Sequence, residues 1–463
     1  MSTVGVMADL PFGFSSGESK DPDKDPNRNN PNPNDPFGFG AAGGDFNMND
    51  LGQIFTRLGQ MFSAGGAGMP GASAGPVNYD LARQLASSSI GFVAPIPENT
   101  TKAIADAVHL ADLWLDGVTP LPAGTSKAVA WTATDWLDNT IDTWKRLCDP
   151  VAQQISTMWA SALPEEAKSM AGPLLAMISQ MGGMAFGSQL GQALGKLSKE
   201  VLTSTDIGLP LGPKGVAALL PEAVEEFSSG LEQPRAEILT FLAAREAAHQ
   251  RLFVHVPWLA SQLLSNVEAY AKGITIDMSG IEELAQGFNP AAMTDPAAME
   301  QLLNQGIFEP KATPEQTAAL ERLETLLALI EGWVQTVVSA ALGDRIPGAS
   351  ALSETLRRRR ATGGPAEQTF ATLVGLELRP RKLREAAVLW ERLTDAAGAD
   401  ARDAVWQHPD LLPDADDLDT PAGFIDRVIG GDTGSDEIDE AIAQFEKDFN
   451  SGRDDSGDPP VEK

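Results

Sequence analysis

Between Gln233 and Leu259 the chain reads QPRAEILTFLAAREAAHQRLFVHVPWL, and this stretch limits the fold more than any other. Pro234 fits the first turn of a helix, Glu237 complements the positive N-terminal end of its dipole, and no Gly or Pro intervenes before Pro257. The pattern predicts one long helix. Ile238, Leu242, Arg245, His249 and Leu252 recur at three- and four-residue intervals, which puts Arg245 and His249 on one inward face. Within it, Arg245-Glu246-Ala247-Ala248-His249 is the helical zinc-binding pattern HExxH with arginine in place of the first histidine.

The chemistry of that pattern needs two imidazoles one helical turn apart to grip the metal, and a glutamate between them to activate its water as general base. Glu246 and His249 keep those positions. A guanidinium has no lone pair for a metal and stays protonated, so Arg245 blocks the first ligand position. Its fixed charge at about 4 Å from a divalent cation is repulsive by roughly 8 kcal/mol at an effective dielectric of 20. His249 therefore has two readings, a metal ligand or a core histidine satisfied by a neighbour. His255 stands where the longer pattern HExxHxxGxxH has its last histidine, but Leu252 replaces the glycine that turns the chain, so His255 is either an additional ligand or a cap.

A further carboxylate comes from a second helix. Thr313-Pro314-Glu315-Gln316 is a strong helix start, and the apolar periodicity runs on to about Leu342. Leu323, Leu327, Glu331, Val334 and Val338 fall on one face, leaving Glu331 as an acid on an apolar stripe. Glu331 is a candidate metal ligand. With no metal, the partner that satisfies it best is Arg245.

The remaining chain predicts a mainly α protein. Residues 1–78 are rich in Asp, Asn, Pro and Gly and are expected to be a disordered arm, carrying the repeated Pro11-Phe12-Gly13-Phe14 and Pro36-Phe37-Gly38-Phe39 and a short amphipathic stretch, Leu51 to Phe62. Residues 79–430 are expected to form one multi-helix domain, with helices over Ala103 to Leu115, Lys127 to Cys148 and Pro150 to Ala162. Ser169 to Gly195 is uncharged, but its glutamines and paired glycines, and the four-residue repeat of Gly187, Gly191 and Gly195, predict a close-packed buried helix and no transmembrane segment. Ser204 to Pro213 is a turn-rich connection, an edge strand or substrate-side loop if the fold is protease-like. Arg357 to Arg360 and Arg379 to Arg384 form a basic island whose expected partners are the acids after Asp403. Residues 431–463 read as an acidic tail with a short helix over Glu437 to Phe449.

A net charge of −30 excludes nucleic acid as a general partner. The single cysteine, Cys148, rules out an internal disulfide framework, and the N-terminus shows no secretory pattern, so a cytoplasmic location is expected. Oligomeric state is not specified.

Through AIADAVHLADLWLDG, FGSQLGQALG, STDIGLPLGP, REAAHQRLFVHVPWL, LIEGWV, LRPRKLREAAVLW and RDAVWQHPDLLP, the chain resembles an actinobacterial family of zinc-dependent metalloproteases, or zincin-like hydrolases. The resemblance implies a helical zincin-like domain from about Asn78 to Ile429, zinc as cofactor, His249 as the second motif histidine, Glu246 as general base and Glu331 as a downstream carboxylate ligand. Arg245 departs from that family's motif. Two functions follow: a zincin fold that has lost its metal and binds a peptide or protein partner, or a zinc metallopeptidase using His249, Glu331 and a further ligand with Glu246 activating water.

Overall fold

The computed structural model describes residues 75–161, 172–273, 313–361 and 382–430. The two Pro-Phe-Gly-Phe motifs, the Leu51 to Phe62 stretch, Arg379, Arg381 and the Glu437 to Phe449 helix lie outside these residues.

Helices dominate what is described. In chain order they are α1 (Tyr79–Ile90), α2 (Glu98–Leu115), α3 (Ala133–Ser161), α4 (Gly172–Glu200), α5 (Pro221–Ser228), α6 (Arg235–His255), α7 (Leu259–Lys272) and α8 (Pro314–Leu342). They continue with α9 (Ala349–Ala361), α10 (Leu383–Ala404), α11 (Ala415–Asp419) and α12 (Pro421–Gly430). Two short strands, β1 (Lys127–Ala130) and β2 (Val216–Leu219), pair in parallel with Lys127 opposite Val216 and Ala130 opposite Leu219. The mainly α architecture is thus as the periodicity predicts.

One helix start differs. Lys127 to Ala130 is β1, and α3 begins only after it. The reason is a reciprocal cap: the Thr132 hydroxyl accepts from the Asp135 amide at 3.1 Å, while the Asp135 carboxylate accepts from the Thr132 amide at 2.9 Å. That arrangement satisfies the first-turn donors and ends any helix extension toward Lys127. Conversely, α3 runs through Pro150, so the two helices expected on either side of that proline are one.

The central helix is α8, with Leu323, Leu327, Ile330, Trp333, Val334 and Val337 all buried. Its start is as expected, since the Thr313 side chain accepts from the Gln316 amide at 3.1 Å. It packs against α2, α6, α7 and α10. Segment Pro314–Arg345 is also long and apolar enough to cross a membrane, but 78% of its apolar window is buried inside the protein. Such burial is that of a core helix. Cys148 is a buried free thiol on α3.

The glycine repeat on α4 brings α1 into close contact. A Cβ placed at Gly187 would lie 2.4 Å from the Asn78 carbonyl oxygen, and at Gly191 2.5 Å from that of Ala82. Gly182, on the same helix, has open space around it. Gly191→Val is therefore expected to destabilise the fold by about 1–3 kcal/mol or more through overpacking, whereas Gly182→Ala is expected to be stabilising by about 0.5–1 kcal/mol. Urea unfolding of the two variants beside the parent measures both, and equal effects at the two positions would refute the close-approach role.

Candidate functional site

The motif helix α6 begins at Arg235 behind Pro234 and ends at His255, where Pro257 stops it; α7 starts two residues later. Its middle turns are enclosed: Glu246, Ala247, Ala248 and His249 are all buried. Arg245 keeps 11% of its side chain exposed. These positions bring two separate polar clusters to neighbouring faces of one helix.

The first cluster is centred on Glu331 of α8, which is 3% exposed. Arg245 donates from Nη2 to Glu331 Oε2 at 2.6 Å, and Arg360 of α9 brings Nη1 to the same oxygen at 2.5 Å. His249 places Nε2 at 3.0 Å from Oε1. Its Nδ1 donates to the Arg245 carbonyl oxygen at 2.9 Å, one helical turn back. A ring held at Nδ1 by an acceptor and aimed through Nε2 at a carboxylate has the orientation used by metal-binding histidines, but here the carboxylate itself fills the space. Phe253 stacks on the ring at 6.2 Å between centroids.

Burial alone would raise the Glu331 pKa; Arg360, His249 and Arg245 together outweigh it and hold the carboxyl well below the usual range. Burial also pulls Arg245 below the ordinary arginine value, and the charge of Arg360 adds to this while Glu331 opposes it. Asp206 tempers the positive charge, lying 3.9 Å from both Arg359 and Arg360. Its backbone carbonyl accepts from Arg360 Nη2 at 2.6 Å. Gly208, at φ +76°, fits against the cluster: a Cβ there would come within 3.1 Å of Glu331 Oε1.

The second cluster holds Glu246. One carboxylate oxygen accepts from the Ser204 hydroxyl at 2.5 Å and the Gln250 amide at 3.0 Å. The other accepts from the Thr205 hydroxyl at 2.5 Å and the Thr205 backbone amide at 3.2 Å. A carboxylate has about four acceptor sites, and these donors take them. Glu246 is therefore a clasp between α6 and the turn at Ser204-Thr205. The turn in turn is pinned to β2, as Ser204 N donates to the Ala218 carbonyl at 3.0 Å, and Gln250 Nε2 donates to that of Val216 at 3.1 Å. Ser204 to Gly208 thus form a wall of the site, and an isolated antiparallel bridge between Thr203 and Leu219 lies just before them.

Of the sequence candidates, Arg245, His249 and Glu331 come together, while Glu246 has its own partners and His255 stands exposed at the helix end, with Nε2 3.3 Å from the Ala123 carbonyl oxygen. The residue that sequence reasoning missed is Arg360. It belongs to the basic island, whose expected acidic partners lay after Asp403. Lys382 does reach Asp419 there, at 2.9 Å, and Arg358 pairs within its own helix with Glu354 at 2.9 Å. Arg359 and Arg360 instead turn back toward Asp206 and Glu331.

Comparison with known proteins agrees with this geometry at the level of fold. Residues 77–425 match the family described as zincin-like metallopeptidase. A crystal structure from Chloroflexus aurantiacus, described as a hydrolase candidate with a novel fold, aligns with a TM-score of 0.54 at 21% identity, over 76% of this chain and 98% of that one. No curated protein matches the chain. A zincin-like family implies zinc, and the residues around Glu331 do not fit it. Zinc sites take three or four protein donors; here His249 and Glu331 are the donors, and two guanidinium groups hold the carboxylate. Among the described residues, no group of three or more His, Cys, Asp or Glu side chains has an arrangement that holds a metal.

The linkage is directional. A carboxyl whose folded pKa is depressed adds stability that is complete above the unfolded value of about 4.3 and is lost as pH falls through the lower folded value. Urea unfolding from about pH 7 down to about pH 3 should show this loss in the parent. Glu331→Gln is expected to cost about 3–5 kcal/mol at neutral pH, by leaving buried cations unpaired, and to flatten the acid slope. An unchanged slope in the variant would show that other acids carry it.

Proposed function

Because the chain belongs to the zincin-like metallopeptidase family, its Arg245–His249 helix is where that family's metal chemistry is to be looked for, and we propose that this protein is a catalytically degenerate zincin that acts as a peptide- or protein-binding module. The observation that carries the reading is the 2.6 Å bond from Arg245 to Glu331. A first-ligand position that supplies a cation, and a downstream carboxylate neutralised by that cation, leave no strong site for a divalent ion. Glu246 supports the same reading, because its oxygens are engaged by Ser204, Thr205 and Gln250 rather than directed at a water. The buried free Cys148 accords with a cytoplasmic setting.

A second reading is a working zinc metallopeptidase. The orientation of His249, with Nδ1 on a backbone carbonyl and Nε2 toward Glu331, favours it. It requires Arg245 and Arg360 to leave Glu331 and a further donor to arrive.

Elemental analysis of the purified full chain separates the two. The parent is expected to contain no stoichiometric zinc and to leave a fluorogenic peptide mixture uncleaved. Arg245→His alone retains Arg360 on Glu331 and is expected to bind zinc weakly. Arg245→His combined with Arg360→Gln frees the carboxylate beside two histidines and is expected to bind it near stoichiometrically. Stoichiometric zinc and metal-dependent cleavage in the parent would overturn the degenerate reading.

A further inference from the structure

The ion cluster is closed by its own side chains, so a binding module needs another surface. A groove of about 430 Å³ is present where α7, α8 and the turn following His408 meet. Leu326, Leu329 and Leu412 give it an apolar lining, and Trp258 forms one wall. The Trp258 indole N–H is already committed to the Trp406 carbonyl at 3.1 Å, and its ring stacks on that of Trp406, so the wall is rigid and apolar.

Asn266 also lines this groove. It is 4% exposed. Its side-chain amide carries both an acceptor carbonyl and N–H donors. The group that matches both of its ends is another amide, offering one carbonyl and one N–H. A peptide main chain supplies that.

The rim adds a sign. Glu321, Asp414 and Asp416 stand around the opening with one base, Arg322. Asp414 is occupied by the capping box of α11, whereas Glu321 and Asp416 have no ion-pair partner among the described residues. Three acids against one base favour a cationic ligand. Arg322, also without an ion pair among the described residues, adds donors for a main-chain carbonyl.

We propose that this groove, rather than the metal-site region, is where the module binds its partner. The ligand is an extended segment of another protein, with a leucine-sized apolar side chain over Leu326, Leu329 and Leu412, its main chain on Asn266, and an adjacent Lys or Arg facing Glu321 and Asp416. This rests on the binding-module reading, and names the site and the ligand class for it.

The test is an array of random-sequence heptapeptides probed with the labelled full chain, the parent beside two variants. Glu321→Lys with Asp416→Lys reverses exposed charges; Leu412→Arg fills the groove from a half-buried position. Selected peptides are expected to place an apolar residue beside Lys or Arg, and both variants to weaken their binding at least about tenfold with unchanged thermal unfolding. Peptides that bind parent and variants equally would overturn the groove and leave the module reading intact. An array that captures nothing would likewise overturn the groove as a site for an extended segment, and a charge-reversed variant that still selects basic peptides would refute the assigned rim.

Discussion

Glu331 is an acid in the middle of the buried stretch of α8, and a carboxylate in that position is tolerated only when cations are brought to it. The surrounding helices are arranged to do so. Arg245 comes from α6 and Arg360 from α9, while His249 completes the other oxygen. Arg360 thereby fixes the end of α9 over the turn at Asp206, and Arg359 beside it reaches the Glu200 carbonyl at the end of α4. Next to the acid, Gly332 lets α10 approach so closely that a Cβ there would meet Ala386 Cβ at 2.8 Å. The position of several helices follows from meeting one charge.

The same device recurs away from the site. Arg251, fully buried two residues after His249, donates to the Asp112 carboxylate and carbonyl, to Asp116 at 2.7 Å and to the Leu121 carbonyl at 2.6 Å. Arg402 pairs with Asp403 at 2.6 Å and donates to the Val118 carbonyl at 2.9 Å. Asp403 also accepts from Thr119 and from the Trp333 indole. The connection leaving α2 is therefore gripped at Val118, Thr119 and Leu121 by buried side chains from α6 and α10. Guanidinium groups suit this task because their planar fork satisfies several carbonyl and carboxylate oxygens at once.

Much of this was legible along the chain. The Thr313 cap, the apolar stripe interrupted by Glu331, the inward face shared by Arg245 and His249, and the close-packing glycines of α4 are all local patterns with periods a helix imposes. The pairing of Arg245 with Glu331 could be named because each was an isolated charge on an apolar face. Arg360 was hidden by its company. Four consecutive arginines read as one salt-bridge face toward the acids after Asp403, and only the docking of α9 decides which of them turns to Glu331 instead. Ser204 and Thr205 were hidden for a different reason: a hydroxyl in a turn carries no signal of the carboxylate it will meet across forty residues of chain. The β1 strand was missed although Thr132 and Asp135 spelled out the cap that ends it.

The sequence separations in the Glu331 cluster have a bearing on how the chain reaches its native state. Arg245 and His249 lie 86 and 82 residues before their acid, so these contacts close long loops and cannot form within any one helix. Until α6, α8 and α9 have docked, each charge is better solvated by water than by a partial set of partners. The cluster therefore assembles late, after the apolar faces have met, and its loss would act mainly on the rate of unfolding rather than on the rate of collapse. A charge cluster of this kind works as a latch on a fold already formed, one that sets how long the native arrangement persists once it has been reached.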